Sequence, residues 1–172
     1  GATEHDRKKI VITKDSKAFF HNNVDYCVGT GRMGLALTEE YQEELRLVQK
    51  EIGFKHIRGH GLFCDDMAIF QTYEEDGKVR VEYNYTYLDR VMDAYKKVGL
   101  RPFLELGFMP KKLANGSQTI FYWQGNTTPP KDYDIWCNMV RSLLRHLMGR
   151  YGEEEVIQWP IEVWNEPNLC GF

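Results

Sequence analysis

Lys97-Val98-Gly99-Leu100-Arg101 reads as the end of a helix, a glycine stop, an apolar residue and a cation opening a strand. The same junction occurs earlier, as Lys50-Glu51-Ile52-Gly53-Phe54-Lys55, and the two glycines stand 46 positions apart. That spacing suits one βα unit carrying an insertion, and consecutive βα units are satisfied by a parallel sheet. The expected fold class is therefore α/β with parallel strands.

Downstream of Gly99, Pro102-Phe103-Leu104-Glu105-Leu106 is the third strand. The 24 residues from 107 to 130 are too many for a plain connector, and Phe121-Tyr122-Trp123 within them favour a functional loop over a disordered one. A helix follows over about 132–150, with Ile135, Trp136, Met139, Val140, Leu143, Leu144, Leu147 and Met148 on its apolar side. Glu153-Glu154-Glu155 reads as a solvated run. Ile161-Glu162-Val163-Trp164 then forms a short buried strand, stopped at Pro167, which cannot donate to a ladder.

Upstream, a helix from about Thr86, with Asp89 three residues on, carries Leu88, Val91, Met92, Tyr95 and Val98. Asp76-Gly77 between the apolar stretches 69–73 and 79–83 signals a β-hairpin, an excursion on the loop after the second strand. That strand, over 54–58, follows a helix capped by Thr38, in which Tyr41, Leu45, Val48 and Ile52 recur at helical spacing. Tyr26-Cys27-Val28 opens the first long strand. Before it, Ile10-Val11-Ile12-Thr13 reads as a short strand within an N-terminal tail of residues 1–25.

The composition excludes several classes. A net charge of −3, with no Lys/Arg run forming a nucleic-acid stripe, argues against a nucleic-acid partner, and 42% hydrophobic with 27% charged residues is ordinary for a globular domain. No apolar run approaches a membrane span. Cys27, Cys64, Cys137 and Cys170 lie far apart with no Cys-x-x-Cys pair, which reads as free thiols in a reducing, cytoplasmic setting. Asn115-Gly116-Ser117 and Asn126-Thr127-Thr128 match the glycosylation sequon but read as ordinary loop sequence.

Gly29-Thr30-Gly31-Arg32-Met33-Gly34 is a literal G-x-G-x-x-G. A dinucleotide site needs the helix to open on those glycines, so that a pyrophosphate meets its N-terminus. Here Leu35-Ala36-Leu37 intervenes before Thr38. An NAD-binding oxidoreductase is thus a remote alternative, and the glycines read as a loop.

The strand end at Asn165-Glu166 carries the chemistry. A carboxyl delivered into a concave, water-poor mouth keeps its proton near neutral pH, because burial disfavours the charged form. The competing reading is a solvated carboxylate at the turn made by Pro167.

Trp164-Asn165-Glu166-Pro167 resembles the acid/base signature of the glycoside hydrolase clan built on (β/α)8 barrels. Val28-Gly29-Thr30-Gly31-Arg32, Ile57-Arg58-Gly59-His60-Gly61, Leu106-Gly107-Phe108-Met109-Pro110, Phe121-Tyr122-Trp123 and Thr128-Pro129-Pro130 extend the likeness to family 39. Within it, the bacterial β-xylosidases look closer than the α-L-iduronidases. The resemblance implies that residues 26–172 form the N-terminal half, strands one to four, of a (β/α)8 TIM barrel. It implies a retaining mechanism that releases β-1,4-linked xylose from the non-reducing end of xylo-oligosaccharides. Glu166 would be the general acid/base, Asn165 and His60 would hold sugar hydroxyls, and Trp123 would wall or stack on the sugar. The family's nucleophile, a Glu on the seventh strand, has no counterpart here, and Glu105 is the best-placed local carboxylate, open to pairing with Arg58 or Arg101. Glu162 and Trp164 are expected to be structural.

No cofactor or metal is implied, since two carboxyls suffice for that mechanism. The expected partners are a xylose-containing oligosaccharide and either a complementary half-barrel or a second copy of the chain. The isolated chain is expected to be inactive. The alternative reading is a non-catalytic half-barrel module that works only by pairing.

Overall fold

A computed structural model describes residues 10, 11, 13–15, 19 and 21–172. Its elements in chain order are β1 (Cys27–Arg32), a 3₁₀ turn (Met33–Leu37), α1 (Glu39–Glu51), β2 (His56–His60), a second 3₁₀ turn (Asp65–Met67), β3 (Phe70–Glu75), β4 (Lys78–Tyr83), α2 (Thr86–Lys97), β5 (Arg101–Glu105), β6 (Thr119–Ile120), β7 (Gly125–Asn126), α3 (Tyr133–Tyr151), α4 (Glu153–Val156) and β8 (Ile161–Glu162). The expected strand at Ile10-Val11-Ile12-Thr13 lies partly outside the described residues, and Ile10, Val11 and Thr13 belong to no strand.

The main sheet has the order β1-β2-β5-β8, and every pairing in it is parallel. The fold is α/β, as the repeated junction requires. Both junction glycines sit at positive φ, +74° for Gly53 and for Gly99, where a side chain would be strained. Arg101 N–H donates to the Lys55 carbonyl at 3.0 Å, so the second junction is stitched onto the first.

Helix α1 starts where its cap predicts: Thr38 Oγ1 accepts from the Tyr41 N–H at 3.4 Å. Asp132 caps α3 by accepting from the Asp134 and Ile135 amides at 2.9 and 3.2 Å. At α2, Thr86 is the first helical residue rather than the cap, and the Asn84 side chain accepts its N–H at 2.9 Å. The hairpin is present, β3 pairing β4 antiparallel with Asp76 and Gly77 at φ +50° and +72°. These are the left-handed conformations that a tight two-residue turn demands.

The core lies between sheet and helices. Leu88, Val91, Met92 and Tyr95 of α2 and Met139, Leu143 and Leu147 of α3 are buried with Ile57 and Leu104 from the sheet. A polar clasp joins α2 to α3: His146 Nε2 meets Asp89 Oδ1 at 2.6 Å, and Arg150 Nη2 donates to Asp93 Oδ2 at 2.5 Å. The Tyr85 ring stacks on His146, centroids 4.1 Å apart.

Three expectations are corrected. The glycine stretch is not a loop: Gly29 and Gly31 lie inside β1, and a 3₁₀ turn separates them from α1. A 3₁₀ turn rather than a regular helix opens directly after those glycines, unlike the strand–glycine–helix arrangement of a dinucleotide site. The Glu153-Glu154-Glu155 run is exposed at Glu153 and Glu154, as expected, but it opens the short helix α4, and half-buried Glu155 binds Arg101 through two oxygens at 2.8 and 3.2 Å. The fourth strand is shorter than expected and is not buried: β8 spans two residues, with Ile161 and Val163 45% and 60% exposed. It is an edge strand with β5 on one side alone among the described residues.

Candidate active site

Ladder register brings the carboxyl ends of β2, β5 and β8 together, pairing Gly59 with Leu104 and Glu105 with Glu162. Arg58, pointing from β2, is the hub. Its Nε donates to Glu162 Oε2 at 2.7 Å and its Nη2 to Asn165 Oδ1 at 2.9 Å, while Nη2 lies 3.4 Å from Glu105 Oε2. Nη1 stands 3.5 Å from His60 Nε2. The bond to Glu162 and the charges of Glu105 and Glu162 hold the guanidinium above its ordinary value, against partial burial.

Glu105 is fully buried and bonded to His60 Nδ1; its Oε1 has no partner among the described residues. A Cβ on Gly107 would come within 2.5 Å of that oxygen, so glycine is what lets the next turn pass over the carboxylate. With Glu105 taking Nδ1, His60 has Nε2 left to face Arg58 or a ligand.

Beyond His60 stands an aromatic cluster centred on Phe108. Its ring centroid is 5.5 Å from Trp123, 5.8 Å from Trp164, and 6.1 Å from both Phe121 and Phe172. Trp123 and Phe121 are stacked at 5.1 Å. The 107–130 loop that presents them is ordered by its own bonds. Buried Asn126 donates to the Gly116 carbonyl at 2.9 Å and accepts from the Thr128 amide and hydroxyl at 2.9 and 2.6 Å. That side chain is already committed to these bonds, and Asn126 lies in β7 rather than in plain loop as its sequon suggested.

The structure joins His60 and Asn165 through Arg58, and links Trp123 to His60 through Phe108 and Phe121. Glu166 is not among them. It is exposed, at φ +44°, where its carbonyl accepts the Leu169 N–H at 3.1 Å in the closing turn. The expected water-poor mouth is therefore absent around Glu166, because no strand lies beyond β8 to wall it in among the described residues. Among the described residues it shares positive φ with Ala68, Asp76, Phe121 and Gln124. Glu105 pairs with Arg58, whereas Arg101 is taken by Glu155. Glu162, expected to be structural only, bonds the Arg58 hub at 2.7 Å, and Trp164 packs edge-on against Phe108 in the aromatic cluster. Sequence reasoning named Arg58 as a possible partner of Glu105 but missed it as the hub, because its bonds to Glu162 and Asn165 span more than a hundred positions.

The model for glycosyl hydrolases family 39 matches residues 8–172. The chain belongs to that family. Over 165 residues it is 52% identical to a β-xylosidase of Geobacillus stearothermophilus, covering 96% of this chain and 33% of that protein. Human α-L-iduronidase is more distant, 32% identical over 70% of this chain and 16% of that protein. Among solved structures, a monomeric β-xylosidase from Caulobacter crescentus superposes with a TM-score of 0.80 at 41% identity, over 86% of this chain and 29% of that one. The family 39 chain thus spans about a third of the length of the β-xylosidases it matches. Among the described residues no helix is long and apolar enough to cross a membrane.

Proposed function

We propose that this chain supplies the acid/base half of a retaining β-xylosidase, acting on β-1,4-linked xylose at the non-reducing end of xylo-oligosaccharides. The carrying observation is Asn165, buried and held by Arg58 at the carboxyl end of β8, directly before exposed Glu166. In this reading Asn165 holds a sugar hydroxyl, as does His60 through its Nε2, and Trp123 borders the sugar. Glu166 protonates the leaving oxygen, then activates water. The parallel order β1-β2-β5-β8 represents the first four strands of a (β/α)8 barrel, with residues 1–25 as a tail.

A retaining mechanism needs a second carboxyl about 5–5.5 Å from the first. Glu105 is fully buried against Arg58 and His60, and Glu162 is bonded to Arg58, so we assign the nucleophile's role to neither. The nucleophile belongs to a further set of strands, which would also enclose Glu166. The four free thiols fit a cytoplasmic location.

A second reading, a pairing module without chemistry of its own, is favoured by the uncovered β8 edge. Beside it lies an apolar hollow of about 360 Å³ lined by Trp136, Val163 and Trp164. One experiment separates the two: mixing the chain with a polypeptide carrying strands five to eight and following nitrophenol release from an aryl xyloside. Restored hydrolysis, lost in Glu166→Gln, supports the enzyme reading; complex formation without hydrolysis supports the module. Glu166-dependent release by the chain alone would refute the assignment of the nucleophile to other strands.

A further inference from the structure

A separate concavity opens where the 3₁₀ turns after β1 and β2 meet the 107–130 loop. Its volume is about 570 Å³, inside the range of about 300–1,000 Å³ usual for small-molecule sites. None of Arg58, His60, Glu105, Asn165 or Glu166 lines it. Its walls carry Arg32, Asp65, Asp66, Lys111, Trp123 and Gln124. Two cations against two carboxylates leave no formal charge.

These groups are held in place. Arg32 Nη1 lies 3.4 Å from Asp66 Oδ2, and Asp65 Oδ2 accepts the Lys111 amide at 3.1 Å. Arg32 Nε is a buried donor with no partner among the described residues. Burial pushes the Asp66 carboxyl above its usual value, with Arg32 opposing. The Trp123 indole is pinned against two backbones: a Cβ on Gly61 or Gly125 would come within 3.4 or 2.8 Å of its ring. A site so fixed loses little freedom on binding.

The ligand chemistry follows from that inventory. An anion would meet two carboxylates, and a cation two basic groups. A neutral molecule with many hydroxyls can donate to Asp66 and accept from Arg32 and Lys111, while the apolar C–H face of its ring lies on the indole's electron-rich surface. We propose that this cavity binds a neutral sugar ring at a subsite distinct from the Arg58 cluster. The proposal rests on the reading above for the choice of a xylose-based ligand.

Titration of the 15N-labelled chain with xylobiose tests it. The Asp66, Lys111, Gly116 and Ser117 amides, which line this cavity and take no part in the Arg58 cluster, should shift saturably, and inorganic phosphate should leave them unmoved. Arg32→Gln and Trp123→Leu should each weaken binding about tenfold or more. Asp66→Asn, which alters one wall atom without changing its packing, should do the same and keeps the test decisive if Trp123→Leu fails to fold. Unmoved resonances, shifts confined to His60 and Asn165, or unchanged affinity in all three variants would overturn the proposal. Hydrolysis restored by the missing strands while these resonances stay still would sink the subsite and spare the catalytic reading; saturable binding without hydrolysis would do the reverse.

Discussion

Arg58→Met removes the group that ties three strand ends together while keeping a stem of similar length. The Glu105 carboxylate, fully buried, would be left with His60 as its remaining hydrogen-bond partner. Stripping one partner from a buried ion pair costs about 3–5 kcal/mol. The low end applies, since the closest approach is 3.4 Å and 22% of the Arg58 side chain is exposed. The Glu162 arm, with 32% of that side chain exposed, is screened by solvent and adds about 1 kcal/mol at most. The neutral bond to Asn165 adds about 1 kcal/mol, and retained stem packing offsets part of the total. A net loss of about 3 kcal/mol is expected, a large share of a typical domain's 5–15 kcal/mol. Urea unfolding followed by tryptophan fluorescence measures it, with Glu105→Gln and the double variant closing the cycle. The coupling should be about 1–2 kcal/mol, because neutralising Glu105 relieves the charge that Arg58→Met strands. A loss under about 0.5 kcal/mol, or strict additivity, would refute the account of Arg58 as the hub.

Other expectations follow from the core and the helix layer. Tyr95 is fully buried with its hydroxyl unpartnered among the described residues, so Tyr95→Phe should raise stability by about 1 kcal/mol in the same urea assay; a loss would mean the hydroxyl is satisfied. The Arg150 bond holds the Asp93 carboxyl below its ordinary value. Its stabilisation is therefore present above the usual carboxylate range and lost as pH falls through the depressed value. Asp93→Asn should lower the melting temperature at neutral pH and flatten its fall on the acid side, and a parallel pH profile would contradict this. Burial pushes the Cys64 thiol up to about 12, whereas Cys137 and Cys170 are exposed. A thiol reagent read out by mass spectrometry should label Cys137 and Cys170 in the native chain and reach Cys64 only on unfolding.

The backbone plan was legible because its signals are local. Gly53 and Gly99, the Thr38 and Asp132 caps and the Asp76-Gly77 turn each act within a few residues, and each lies where its chemistry demands. The site was legible only in part. Asn165 is 107 positions from Arg58 and Glu162 is 104, distances over which no periodic pattern carries information. Glu105 reads as one polar residue in an apolar strand, and only parallel register shows that it meets His60 and Arg58. The exposure of Glu166 and the shortness of β8 were hidden for another reason: burial depends on what stands beyond an edge, which a local pattern does not encode.

The sheet's neighbour order has a bearing on biosynthesis. Because each strand of β1-β2-β5-β8 lies beside the strand of that sheet made just before it, every new strand finds its template already made as translation proceeds. Assembly can proceed vectorially, one ladder at a time, without waiting for distant sequence.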